Sequence, residues 1–207
     1  EYYYRWRVAN ATSPVGRTKT APAGSIDNQE FRFAFASCQQ YEHGFYTAYQ
    51  HMAEEEMDLI VHLGDYIYEY GNGEYGDGTD LGRRHAPDRE ITTLADYRER
   101  YALYRTDADL QELHRQHPLV VIWDDHESAN NSWRDGAQNH NEGEGAWAAR
   151  KRAAVKAWHE WLPTREAQSP GDARIWRSFR FGELLDLTML DTRLYGRDRE
   201  AANPKDH

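Results

Sequence analysis

The chain is poor in cysteine and methionine, has no long apolar stretch and is short of positive charge. Its one cysteine, Cys38, rules out an internal disulfide framework but says little about compartment, because exported proteins need no disulfides. No run approaches the roughly 18 apolar residues of an ordinary transmembrane helix. Lysine and arginine number 25 against 35 aspartates and glutamates, a formal charge of −10. That balance disfavours a nucleic-acid backbone as partner, although metals or a local basic pocket can still hold a phosphate. An initiator methionine is also absent, and the opening EYYYRWRV (1–8) alternates like a strand without partners. A processed or incomplete polypeptide is expected, so the missing signal peptide carries no weight.

What is present suits one folded unit. Among 207 residues, 39% are hydrophobic and 29% charged. This is enough for one real core and a small appendage, and is neither a disordered nor a membrane composition. The stretch 57–70, MDLIVHLGDYIYEY, organises the rest. Leu59 to Leu63 is an apolar run one strand long that meets Gly64 and Asp65 where a buried strand would surface. A helix over 44–57 precedes it. A carboxylate at the carboxyl end of such a strand is where open α/β sheets place ligands.

Two further apolar runs repeat that arrangement. FRFAFAS (31–37) reads as a first central strand ending at Cys38, and PLVVIW (118–123) as a third strand delivering Asp124, Asp125, His126 and Glu127. Strand, crossover helix and strand imply parallel pairing. Residues 9–28, punctuated by Pro14, Gly16, Pro22 and Gly24, read as a connector with a hairpin end at 16–20. The five glycines between Gly71 and Arg89 mark a long loop beside the strand ends, suited to form an active-site wall. Helices are expected at 94–107, with Thr93 and Asp96 as a cap, at 108–115, and at 146–161, where Ala146, Ala149, Ala153 and Ala157 share a side. Tyr97, Tyr101 and Tyr104 share a helix face, and packing accounts for them. Strands over 175–181 and 184–190 flank a Gly182–Glu183 turn and deliver Asp191, Thr192 and Arg193. The tail from Arg197 has no core residues.

The candidate chemistry lies in Cys38, Asp65, Tyr68, Asp125 and His126. Thiolate, carboxylate, phenolate and imidazole all ligate metals, and this mixed set suits iron or zinc better than magnesium. Asp65 could bridge two ions, and two ions would grip a phosphoryl group and lower the pKa of water. Other readings stay open. Cys38 could be a nucleophile with His126 as base, or a plain buried thiol. Tyr68 shares a face with Asp65 only if the chain turns helically between them; otherwise it is a core aromatic. Asn130 or Asn131 could offer an amide oxygen to a harder ion such as calcium, or cap a turn. Arg193 could clamp a phosphate or form a salt bridge. His62 reads as a satisfied core histidine, while His43, His85 and His140 lie in loops near the expected site face.

The strings SC (37–38), HLGDYIYE (62–69), WDDHE followed by NN (123–131) and LDTR (190–193) resemble the alkaline phosphatase D family, a branch of the calcineurin-like metallophosphatases. The resemblance implies part of a metallophosphatase-type β-sandwich flanked by helices, an α/β fold. Residues 1–28 would end a small N-terminal β domain, and residues 29–207 would form the first half of the metallophosphatase domain. It also implies an exported, periplasmic or secreted, phosphomonoesterase or phosphodiesterase using ferric iron and calcium, with zinc as the colourless alternative. Cys38, Asp65 and Tyr68 would hold iron, with Asp65 reaching a second ion. The superfamily's Gly-Asn-His-Glu motif would correspond to Asp124–Glu127, placing Asp125 as ligand and His126 on the phosphate. The family's later ligands, histidines and an aspartate, have no counterpart after Arg193. A second polypeptide carrying them is therefore expected. A phospholipase-like diesterase is the rival within this class, and a non-catalytic metal- or phosphate-binding subunit the rival outside it.

Overall fold

The computed structural model describes residues 1–23, 30–165 and 174–199. The end of the expected connector (24–28) and the tail (200–207) lie outside the described residues. At the start of the chain β1 (Tyr2–Tyr4), β2 (Arg7–Val8), β3 (Ala11–Thr12) and β4 (Gly16–Thr18) form two antiparallel ladders, β1 with β4 and β2 with β3. The opening segment therefore has strand partners, contrary to the expectation, although Tyr2, Tyr3, Trp6 and Val8 stay largely exposed.

The remainder runs β5 (Phe33–Ala36), α1 (Thr47–Glu54), β6 (Leu59–His62), α2 (Leu94–Tyr104), α3 (Ala108–Gln116), β7 (Leu119–Val121), α4 (Trp147–Trp161), β8 (Arg177–Phe181) and β9 (Leu185–Met189). Strands β5, β6 and β7 form a parallel sheet in that order. Strand β6, three apolar residues and His62, takes the middle. Every residue of β6 is buried, because burial on both faces is what a continuous apolar run allows. β5 is instead an edge strand among the described residues, not the central strand expected. Its alternation turns Ala34 and Ala36 inward and leaves Phe33 and Phe35 at 45% and 67% exposure. Leu63 and Leu190 are also exposed.

The helices are set by their caps and apolar faces. The Thr93 hydroxyl accepts from the backbone of Asp96, whose carboxylate accepts from the backbone of Thr93, a reciprocal cap worth about 1 kcal/mol. Asp107 caps α3 one way only, its carboxylate accepting from the Asp109 and Leu110 amides. Helix α2 buries Tyr97, Tyr101 and Tyr104 completely, so packing does account for all three. Helix α1 packs on α3, and α2 on α4.

Helix α4 differs in phase from the expected alanine side. Ala146 and Ala149 are exposed, and the buried face is Arg150, Ala154, Ala157 and Trp158. Arg150 turns the helix, because its guanidinium reaches Glu90 (2.7 Å), Glu144 (2.8 Å) and the Tyr97 hydroxyl (3.1 Å) in the interior. Strands β8 and β9 form an antiparallel hairpin around Gly182, whose φ of 58° suits the turn.

Candidate active site

Sheet register brings the strand ends level. Ala36 pairs with His62, and His62 with Val121, so the residues that follow each strand emerge side by side. The backbone continues the alignment, since the Cys38 amide donates to the Gly64 carbonyl and the Gln39 amide to that of Asp65, each at 3.1 Å. Gly64 makes the close approach possible. Its φ is 106°, and an added Cβ would stand 2.2 Å from the Asp124 amide nitrogen. Glu127 closes the arrangement by accepting from the amides of Tyr66 (2.7 Å) and Asp124 (2.9 Å).

Cys38 and Asp65 both adopt left-handed backbone, with φ of 57° and 55°. Non-glycine residues held there are strained and concentrate at functional sites. Cys38 is exposed, which overturns the reading of it as a plain buried thiol. Its sulfur lies 3.3 Å from Asp65 Oδ2, and the Tyr68 hydroxyl lies 3.4 Å from the same oxygen. The thiol is pushed up by the shielding of its sulfur and by Asp65, opposite to what an activated nucleophile needs. Its close partner is that carboxylate rather than His126.

Asp65, Asp125 and His126 each offer a ligand atom, and these atoms lie within 4.8 Å of one another. Behind them, His126 Nδ1 is 2.7 Å from Glu69 Oε2. The other oxygen of Glu69 accepts from the Asn130 amide (2.6 Å) and Asn139 Nδ2 (2.9 Å). Burial opposes charge on His126, but Glu69, Asp65 and Asp125 outweigh it and raise its pKa to about 9. Asp65 is pushed up to about 6 by burial and by Asp125 and Asp124, against the pull of His126. Glu127 rises to about 8 by burial, with Asp65 adding to it. Burial and Asp65 also hold the Tyr68 phenol far above its ordinary value. Even with Arg193 beside Asp124 and Asp125, the Asp65 and Glu127 carboxyls resist ionisation, and the Cys38 thiol and Tyr68 phenol hold their protons. A bound cation would favour their ionised, ligating forms. The donor set therefore fits metal ions, with Cys38, Asp65, Tyr68, Asp125 and His126 as the groups able to hold them.

The remaining sequence candidates fall into two groups. The Asn131 amide donates to Asp125 Oδ2 (2.5 Å) from a residue with φ of 52°, whereas Asn130 turns its side-chain amide to Gln138 (2.6 Å). Arg193 Nε is 2.5 Å from Asp124 Oδ1, and Nη2 is 3.5 Å from Asp125 Oδ1. Its guanidinium thus sits at the site, held in a salt bridge. Among the histidines, His62 at the end of β6 is the satisfied core residue expected, bonded to Gln39 (3.1 Å) and the Gly64 amide (3.3 Å). His85 is buried, with Nδ1 near the Tyr70 carbonyl and Nε2 near Gln40 and Tyr104. His140 bonds the Gly145 carbonyl at 3.1 Å.

Glu69, Tyr70 and Tyr75 were not singled out from the sequence, and Glu127 was named only as the end of its motif, without a role. A glutamate inside the otherwise aromatic and apolar string 66–70 was the available signal for Glu69. The loop from Gly71 to Arg89 is pinned beside them. Arg100, fully buried, donates to the carbonyls of Tyr68, Tyr70 (2.8 Å), Ala86 (3.2 Å), Pro87 (2.9 Å) and Arg89 (3.1 Å).

Together these features define an α/β protein with a metal-competent carboxylate centre at the carboxyl ends of a parallel sheet. The family model described as PhoD-like phosphatase matches residues 33–207. The chain is 48% identical over 204 residues to alkaline phosphatase D of Bacillus subtilis (strain 168), covering 98% of this chain and 34% of that protein. A solved structure described as "Structure of PhoD" superposes with a TM-score of 0.86 at 48% identity, over 94% of this chain and 37% of that one. The chain belongs to the PhoD-like phosphatase family, and it spans about a third of the length of the curated relative it matches.

Proposed function

We propose that this chain forms part of the catalytic centre of a metal-dependent phosphoric ester hydrolase acting on phosphomonoesters or phosphodiesters. The observation that carries the reading is the convergence of Asp65, Asp125 and His126, with Cys38 and Tyr68 both facing Asp65. Metal ions at such a centre supply a lowered water pKa and positive charge opposite the phosphoryl oxygens. Thiol and phenol around Asp65 favour a ferric ion there, and the oxygen donors beside Asp125 and Asn131 favour a harder ion, calcium.

The chain's own residues would orient and protonate. Glu69 fixes His126 with Nδ1 as the bonded nitrogen, which leaves Nε2 to meet a phosphate oxygen or the leaving group. Arg193 braces Asp124 and Asp125, so its part is to position carboxylates rather than to clamp phosphate freely. The remaining ligands belong, in this reading, to further polypeptide that covers the exposed β5 edge around Phe33 and Phe35. The support is the third of the relative's length that this chain spans.

Hydrolysis of p-nitrophenyl phosphate and bis-p-nitrophenyl phosphate by the complete protein, before and after chelation, tests the proposal. Activity that chelation removes and metal restores is expected. Activity indifferent to chelation, or none in a metal-replete sample, would overturn it.

A further inference from the structure

The site opens beneath a ladder of aromatic rings. Tyr75, at the middle of the glycine-rich loop, lies nearly parallel to Tyr68 (centroids 5.5 Å, 15°) and to Tyr70 (5.3 Å, 18°). Tyr68 in turn stacks on the His126 imidazole at 4.2 Å, and Tyr75 is 6.0 Å from that imidazole. The Tyr75–Tyr68, Tyr75–Tyr70 and Tyr68–His126 pairs are stacked, a favourable geometry, and the Tyr75–His126 pair is tilted at 38°. Tyr68 and Tyr70 are mostly covered, whereas Tyr75 keeps 52% of its surface exposed. The ladder therefore runs from the centre to solvent and ends on an open aromatic surface.

The loop holds that surface in place. His43 lies beside Tyr75 with ring centroids 5.6 Å apart, and its Nε2 is 3.3 Å from the Tyr75 carbonyl. Gly76 permits the approach, since a Cβ there would meet the His43 ring at 2.8 Å. Asn72 ties the loop's near end to its far end through His85 and the Asp88 carbonyl. Tyr75 is braced on its flanks and left half open, with its ring 6.0 Å from the His126 imidazole.

We propose that Tyr75 is the stacking surface for the leaving group, and that the site prefers phosphate esters whose leaving group is planar and aromatic, such as an aryl group or a nucleobase-bearing one. The proposal rests on the phosphatase reading of the same site. A ring one ester oxygen away from phosphorus reaches Tyr75 while the phosphoryl group is at His126, and an aliphatic alcohol offers no π-face to it. Stacking of this kind corresponds to roughly tenfold in affinity.

Calorimetric binding of benzylphosphonate, whose phenyl ring is set one methylene from phosphorus in place of the ester oxygen, and of methylphosphonate to the complete metal-loaded protein tests this without requiring turnover. The wild type should bind the benzyl compound about tenfold more tightly. Tyr75→Ala should erase that gap, and Tyr75→Phe, which keeps the ring, should preserve it. A gap that is absent in the wild type, that survives Tyr75→Ala, or that is lost equally in Tyr75→Phe would overturn the proposal. The two readings fail separately. Methylphosphonate binding without a phenyl advantage removes the stacking role alone. A phenyl advantage in a protein that hydrolyses neither aryl nor glycerol phosphate removes the phosphatase reading alone. Binding of neither phosphonate removes both.

Discussion

Glu69 grips His126 from behind: Oε2 lies 2.7 Å from Nδ1 inside a site where the glutamate has no solvent exposure. The same carboxylate accepts from Asn130 and Asn139 with its other oxygen. One buried anion thus sets the imidazole's orientation and also ties the segment after His126 to the end of the central strand. Carboxylates that orient a site histidine from a second layer matter nearly as much as the groups they serve.

Glu69→Gln keeps an acceptor for one amide but removes the charge, and Glu69→Ala leaves His126 and two amides without their acceptor. Phosphatase kcat is expected to fall about tenfold to a hundredfold in Glu69→Gln and further in Glu69→Ala. Steady-state kinetics on the complete protein check this, with unfolding curves run in parallel. Unchanged kcat in both variants would remove Glu69 from the machinery.

Arg100 is the fastener of the loop wall. Its guanidinium serves five backbone carbonyls, from Tyr68 to Arg89, and lysine cannot reproduce that fork. Arg100→Lys is expected to cost about 3 kcal/mol or more, because several buried carbonyls lose charged donors. It should also make the segment 71–89 sensitive to proteolysis before the core. Denaturant unfolding and limited digestion measure both effects.

Gly64 should tolerate no side chain. Gly64→Ala adds backbone strain of about 1–3 kcal/mol at positive φ, together with a contact against the Asp124 amide that only backbone movement relieves. Reduced stability and loss of activity are expected together. Full activity in Gly64→Ala would contradict the close approach of the two loops.

Acid should weaken the fold through buried neutral histidines. Burial depresses His62 to about 3, and burial with Arg100 does the same to His85; burial and Arg105 put His114 well below its ordinary value. Unfolded, each would titrate near 6.5. Below that pH the unfolded chain binds more protons, so stability falls with pH by up to about 1.4 kcal/mol per unit for each histidine. Glu127 and Asp65, raised to about 8 and about 6, act in the opposite sense, as do Glu42 and Glu90, while the depressed His117 and the lowered Glu69 and Asp96 add to the loss in acid. A net loss of stability between pH 6.5 and 4 is expected, shallower in His85→Gln. A flat or rising profile would contradict it.

The strand cores and the ligand-bearing strand ends were legible because burial on both faces imposes an unbroken apolar run, and Asp65 and Asp125 follow such runs directly. The cap at Thr93 and the tyrosine face of α2 were legible for equally local reasons. What stayed hidden depends on partners far along the chain. Arg100, Arg150, Glu69 and Glu127 carry no local sign of their partners, and each is buried against groups brought near only by folding. Arg150 shifted the phase of α4 for that reason. β5 became an edge because alternation, unlike a continuous run, needs cover on one face only. Tyr75 was legible only as part of a wall-forming loop, since nothing local records that Tyr68 and Tyr70 stack against it.

The most direct test is element-resolved metal content and the visible spectrum of the unchelated native protein, with all copurifying chains kept together. Iron near one per catalytic unit, calcium beside it and a charge-transfer band lost in Tyr68→Phe are the expected results. A colourless protein holding no stoichiometric metal would contradict a metal centre built on Cys38, Asp65 and Tyr68.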